Sequence, residues 1–252
     1  MKRHAGDLSQ ALNDSHELAM RLDEPGFPLA ELELVQDWQR RRLACTYHAL
    51  ICQQRFRAAG DFFLTELYGG LHFRMRDQEM ERVLPVMVRM LRDDMLLVLA
   101  KAFELQSLSL ALDMDMTRAL QRSGWQGLNE TRYGDIYRTC ARGSDREKQI
   151  ELIHQLGLKL NELVHQRLVL LLLRTLRGPA RAAGFGLLQS FLEQGLTAFR
   201  VMGDGTDFVN TIWQKETEIM CRLLAGDEEP FTWPEHFTKD AVQNRIGANS
   251  NR

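Results

Sequence analysis

The 252-residue chain predicts an all-α fold, a single-domain multi-helix bundle with central buried helices. Three observations predict it. Apolar residues return at three- and four-residue spacing along most of the chain, and glycines, prolines and small polar caps punctuate it at helix-length intervals. No segment alternates apolar and polar residues for long enough to make a strand, and no repeat of fixed period is present.

The elements follow in order. Leu8, Ala11, Leu12, Ser15, Ala19 and Leu22 share one helical face. Asp7 is placed to cap the first turn, and Pro25-Gly26-Phe27-Pro28 ends the segment. Residues 1–28 are thus an N-terminal helix and turn ahead of a bundle domain over 29–231. A second helix is expected from about Leu29 to Gln54, with Leu32, Val35, Leu43, Tyr47, Leu50 and Ile51 inward and Arg40, Arg41 and Arg42 on its outer face. An aromatic helix from Ala58 to Tyr68 stops at Gly69-Gly70. Asp77 caps the next helix, which Pro85 kinks or restarts by removing a backbone donor.

Asp93 is read as the cap of a long apolar helix reaching about Arg122, and a short helix near Glu130 to Ala141 follows a loop. Ser144-Asp145-Arg146-Glu147 has the form of a capping box and opens a helix to about Arg177. Gly178 closes that helix and Pro179 opens another, ending near Met202. Asp204 or Thr206 caps the last helix, which stops at Gly226, and residues 232–252 form a loose polar tail.

Charge is unevenly spread among these helices. Between Ala182 and Phe199 the only charged residue is Glu193, and between Met95 and Leu112 the only ones are Lys101 and Glu104. A helix apolar nearly all round needs protein on every side. Both are therefore expected at the bundle's centre, beside the helix over Leu152 to Leu176.

Composition narrows the function classes. Hydrophobic residues at 44% and charged residues at 26% exclude disordered chains and disulfide scaffolds. A net charge of −2 and a pI near 6.4 give no counterion-releasing surface, so nucleic acid is not an expected partner. Cys45, Cys52, Cys140 and Cys221 show no CxxC spacing, and no apolar signal segment follows Met1-Lys2-Arg3-His4; reduced thiols and a cytoplasmic location are expected. The run Leu168 to Leu173, bracketed by Arg167 and Arg174, is too short for a bilayer, and no membrane association is expected.

Three stretches carry a resemblance: Phe62-Phe63-Leu64-Thr65-Glu66-Leu67-Tyr68-Gly69 with Phe73 and Arg76-Asp77; Ala102-Phe103-Glu104-Leu105-Gln106-Ser107-Leu108-Ser109; and Arg177-Gly178-Pro179-Ala180 through Ala183-Gly184, Leu188-Gln189, Phe191-Leu192-Glu193 and Ala198-Phe199. They resemble an uncharacterised family of all-helical proteins of Gram-negative bacteria, over about Asp37 to Phe231. The resemblance implies one helical unit and transfers no activity, because the family carries none that is established.

The candidate sites are few. Glu151 with His154 and Glu162 with His165 are two Glu-x-x-His pairs, the spacing with which di-metal bundles place a carboxylate and an imidazole on one helix face. Both lie on one predicted helix, roughly 16 Å apart along its axis, so one cluster cannot use both. The alternative joins Glu162 and His165 to Glu104 and Glu193 as ligands of a single divalent metal. A hydrogen-bonded network with Lys101 or Arg174 as counter-charge accounts for the same residues and is favoured.

Glu66, Tyr68, Arg76 and Asp77, with Arg74, mark either a ligand site at a Gly-Gly turn or a salt-bridged turn between helices, the second being favoured. Cys45, His48 and Cys52 read as packed thiols rather than zinc ligands, and His72 or His165 among aromatics as core rather than a haem wall. GxSxG, P-loop and HExxH motifs are absent, and Asp113 with Asp115 lacks the glycine and closing Glu of a calcium loop. No cofactor is evident, the alternative being that single divalent metal. The expected function is a non-enzymatic helical bundle acting on another protein or on a second copy of itself; the alternative is a metal- or small-ligand-binding enzyme with a carboxylate/His site.

Overall fold

A computed structural model describes residues 2–64, 88–89, 91–166, 171, 175, 177–178 and 186–232. Among them the chain forms nine α-helices and no strand: α1 (Ala5–Met20), α2 (Leu29–Thr46), α3 (His48–Ile51), α4 (Arg57–Phe62), α5 (Asp93–Ser123), α6 (Glu130–Thr139), α7 (Gly143–Leu163), α8 (Gly186–Met202) and α9 (Thr206–Ala225). α5 is the spine. α1 lies along its N-terminal half, α2 and α6 on its C-terminal half, and α7 beside it, with α9 on α7 and α8 on α4.

Local chemistry fixes several boundaries. Asn129 caps α6 by accepting from the Arg132 amide at 2.9 Å. Asp204, one residue ahead of the Gly205 N-cap of α9, accepts from the Thr206 amide at 3.0 Å and its hydroxyl at 2.7 Å, and from Asn161 Nδ2 at 3.1 Å. These bonds hold the exposed Asp204 carboxyl down at about 2. Gly124 (φ 69°) and Gly226 (φ 79°) end α5 and α9 in the left-handed conformation that a side chain disfavours.

Other boundaries differ from expectation. The second helix stops at Thr46 rather than near Gln54, because Tyr47 leaves helical geometry (φ −103°, ψ 10°) and buries its ring; α3 restarts beyond it. Neither Asp7 nor Asp93 is an N-cap. Asp7 lies inside the first turn of α1, 2.7 Å from the His4 ring, and Asp93 accepts from the His4 amide at 2.9 Å, tying α1 to α5. The capping box at Ser144 does not form: α7 starts one residue earlier, and Arg142 bridges Asp145 and Asp115 ahead of it. α7 ends at Leu163 instead of running to Arg177, and Gly178 is helical rather than a stop. The aromatic helix beyond Leu64, the Asp77 cap, Pro85, Pro179 and the tail from 233 lie outside the described residues.

The centre of the molecule is displaced from the expected one. The most deeply packed part of α5 is its C-terminal half, where Met116, Ala119 and Leu120 meet Val35 of α2, Tyr133 and Ile136 of α6, and Ile219 and Leu223 of α9. Trp38 stacks on Tyr133 there at 3.9 Å between ring centres. The N-terminal half buries Leu96, Ala100 and Phe103 against Leu8 and Leu12 of α1, and leaves Leu97, Leu105 and Leu108 only partly covered.

α7 and α9 approach closely where Gly157 faces Val209. A Cβ on Gly157 would meet both Val209 methyls at 2.9 Å, and a β-branched side chain has little freedom to move aside. Gly157→Ala is expected to lower the urea-unfolding free energy by about 1–3 kcal/mol. An unchanged midpoint would mean that the two helices separate readily.

Candidate functional site

The four residues proposed for a metal are spread over the surface. Glu104 of α5 is 42% exposed and sits 2.7 Å from Lys148 Nζ. Glu162 of α7 is 61% exposed and pairs with Lys159 on its own turn at 2.5 Å. His165 is exposed just beyond α7. Glu193 of α8 accepts two bonds from Arg177, at 2.8 and 2.6 Å. Each carboxylate has a cation at hand in a solvated setting, so nothing drives the four together, and the expected dry centre is not assembled. Among the described residues no group of three or more His, Cys, Asp or Glu could hold a metal ion.

The remaining candidates separate similarly. Glu66, Tyr68, Arg76 and Asp77 lie outside the described residues, as do His72 and Arg74. His154 stacks on Trp213 at 4.8 Å and shares a 2.8 Å bond with Asn210. Cys45 and Cys52 are exposed instead of packed, with the break at Tyr47 between them.

A different cluster lies in the interior. Arg42, expected on the outer face of α2, turns inward, and its Nη1 donates to Glu216 of α9 at 2.5 Å. Tyr47 donates to the same Glu216 oxygen at 2.7 Å. The pair is mostly buried, with side chains 12% and 16% exposed. Burial opposes the charge on Arg42, yet Glu216, Tyr133 and Tyr47 together outweigh it and hold the guanidinium more firmly protonated than usual. Arg42 Nε is buried with no acceptor.

Beside this pair α7 contributes a second buried guanidinium, Arg146, 8% exposed. It donates to Gln149 Oε1 at 3.1 Å and to the Met116 sulfur at 2.9 Å, and lies 4.9 Å from the Tyr137 ring centre. α5 supplies Asp113, which accepts from Gln36 and Gln39, each at 3.2 Å. The residues of α2, α5, α6, α7 and α9 around these groups enclose a partly open cavity of about 60 Å³, lined also by Tyr133, Tyr137, Gln149 and aliphatic side chains. Burial pushes the Tyr133 and Tyr137 hydroxyls up and keeps them protonated, Arg146 opposing it in both.

Burial also pushes the Asp113 carboxyl above its ordinary 3.8, against the pull of Arg146 and the two glutamines. A raised carboxyl supports folding below its ordinary value, and that support is lost as the pH climbs through the folded-state value. Asp113→Asn is therefore expected to gain stability relative to the unsubstituted chain as the pH rises from about 4 to neutrality. Urea midpoints measured across that range check the trend; a constant difference would place Asp113 in an environment without net cost to its charge.

The signal for this cluster was helical phase rather than motif. Arg42 follows Val35 by seven residues and Gln39 by three; Glu216 lies four after Ile212 and three before Ile219; Arg146 lies four before Ile150. Polar residues in step with an apolar stripe point into the core.

The model of the family described as Domain of unknown function (DUF8198) matches residues 20–230. The chain belongs to that family. No curated protein and no solved structure matches it. All the cavity residues fall inside the family match, whereas α1 precedes it almost entirely.

Proposed function

We propose that this DUF8198 member is a non-enzymatic helical bundle that acts by protein–protein association through the partly covered apolar flank of α5, a second copy of the chain being its occupant. One observation carries the reading. An 18-residue window of α5 has a mean hydropathy of 1.6, yet only 22% of it is buried. By length and composition α5 could cross a membrane, the one such helix among the described residues. Its polar residues favour a protein setting instead: Glu104 pairs with Lys148, and Lys101 donates to Gln155 at 2.9 Å. Val201 of α8, 64% exposed, adds apolar surface elsewhere. The rest of that window is intermediate in exposure, and a partly covered apolar stripe along a helix is a surface that a partner can close over.

The free thiols of Cys45, Cys52, Cys140 and Cys221 support a reducing, cytoplasmic setting, and the resemblance described above supports a Gram-negative source. With a net charge of −2, neither nucleic acid nor an anionic lipid surface is a partner in this reading. Sedimentation velocity over a concentration series is the test. Reversible dimerisation that Leu105→Lys weakens supports the proposal; a monomer at the highest soluble concentration, or a dimer that Leu105→Lys leaves unchanged, overturns it.

A further inference from the structure

The interior cavity has a charge balance that surface pairing does not explain. Arg42 is matched by Glu216 at 2.5 Å. Arg146 is not matched in this way: among the described residues no carboxylate oxygen lies within 4.0 Å of it, and its two acceptors are an amide oxygen and a thioether. A guanidinium carries five N–H donors, and a thioether is a weak acceptor. Asp113, the nearby acid of α5, accepts from Gln36 and Gln39 at 3.2 Å each, lies beyond 4.0 Å from the Arg146 guanidinium, and is pushed by burial toward its neutral form. Arg42 Nε adds a buried donor with no acceptor on the same wall.

We propose that this cavity binds a small aliphatic monocarboxylate, its oxygens accepting from the Arg146 guanidinium and the Tyr137 hydroxyl and its alkyl end resting on Ile150 and Ile153. A planar carboxylate fits the fork of a guanidinium, which explains the preference over a spherical halide. Glu216 offsets Arg42, so with the Asp113 carboxyl pushed by burial toward its neutral form a single negative charge suits Arg146 better than a phosphate dianion. The ligand is short. A water needs roughly 10–15 Å³ of such space, so the 60 Å³ cavity holds roughly four to six non-hydrogen atoms, the size range from acetate to butyrate. Its aliphatic walls favour the longer members of that range.

The full-length protein titrated with sodium acetate, propionate and butyrate, against sodium chloride at equal ionic strength, tests the proposal by calorimetry and thermal melting. One saturable site per chain is expected, with a melting point raised by propionate or butyrate beyond the chloride control. Tyr137→Phe keeps the ring and removes the hydroxyl, and is expected to weaken binding on the order of tenfold. Arg146→Met, provided its helical circular dichroism is native, should abolish binding; Ile153→Phe, which fills the cavity, serves if Arg146→Met does not fold. Three outcomes overturn the proposal: no saturable effect beyond chloride, which would leave ordered water as the partner of these donors; a stronger response to inorganic phosphate than to any carboxylate; or carboxylate binding that all three variants retain.

Discussion

Glu216→Ala is expected to lower the unfolding free energy by about 3–5 kcal/mol, enough to remove much of the stability of an ordinary domain. The size follows from what the substitution leaves behind. Glu216 accepts from Arg42 at 2.5 Å and from Tyr47 at 2.7 Å, and losing it strands a guanidinium in the core and leaves the Tyr47 hydroxyl with its longer 3.4 Å bond to the Ile212 carbonyl. Arg42 Nε has no acceptor even with Glu216 present, so the residue has little reserve. Tyr47→Phe should cost less, about 1–2 kcal/mol, because it removes the hydroxyl's bonds to Glu216 and to the Ile212 carbonyl but leaves the ion pair. The double substitution Arg42→Met, Glu216→Leu should recover most of the loss, since replacing a buried pair by apolar groups of similar volume is often neutral. Urea unfolding followed by circular dichroism measures all three. A loss below about 1 kcal/mol for Glu216→Ala would show that water reaches the pair and screens it.

The fold class was legible because helix periodicity repeats many times along the chain, and several stops were legible because glycine and an Asx cap act locally. Gly226 ends α9 through its own left-handed backbone, and Asp204 turns the chain into α9 by accepting from the Thr206 amide, a local bond that Asn161 of α7 reinforces from 43 residues away. The break at Tyr47 was not legible: its cause is a phenol reaching Glu216 of a helix 169 residues away in sequence. The capping box at Ser144 failed for a related reason, since Arg142 found Asp115 on α5 and its ion pairs took over the start of α7.

Site residues were misread by one assumption, that the least charged helices lie deepest. Apolar composition says how much surface a helix can bury, while the phase of each polar residue against the apolar stripe says which side chains are buried. Glu104 has low-charge neighbours but faces Lys148 on the surface. Arg42, inside an arginine triplet that looked solvated, sits in register with Val35 and Gln39 and is drawn in. Arg40 and Arg41 of the same triplet do remain outside, both against Asp37.

A chain beginning at Pro25, without α1, is expected to lose about 3–6 kcal/mol and to self-associate more strongly than the full-length protein, with more binding of an apolar dye. The energy is the burial of Leu8 and Leu12, 0% and 2% exposed, at about 1.5–3 kcal/mol for each fully buried leucine. Removing α1 also uncovers Leu96, Ala100 and Phe103 on α5 and breaks the bond from the His4 amide to Asp93. The match to the family begins at residue 20, so it contains all of α5 but almost none of α1, the helix that covers Leu96, Ala100 and Phe103. Under the proposed association, α1 would limit how much of α5 a second copy can reach. Leu12→Ala in the full-length chain offers a milder form of the same test and should cost about 2–5 kcal/mol. If the shortened chain stayed monomeric, with an unchanged urea midpoint and no added dye binding, α1 would be an appendage and α5 would be stable without it.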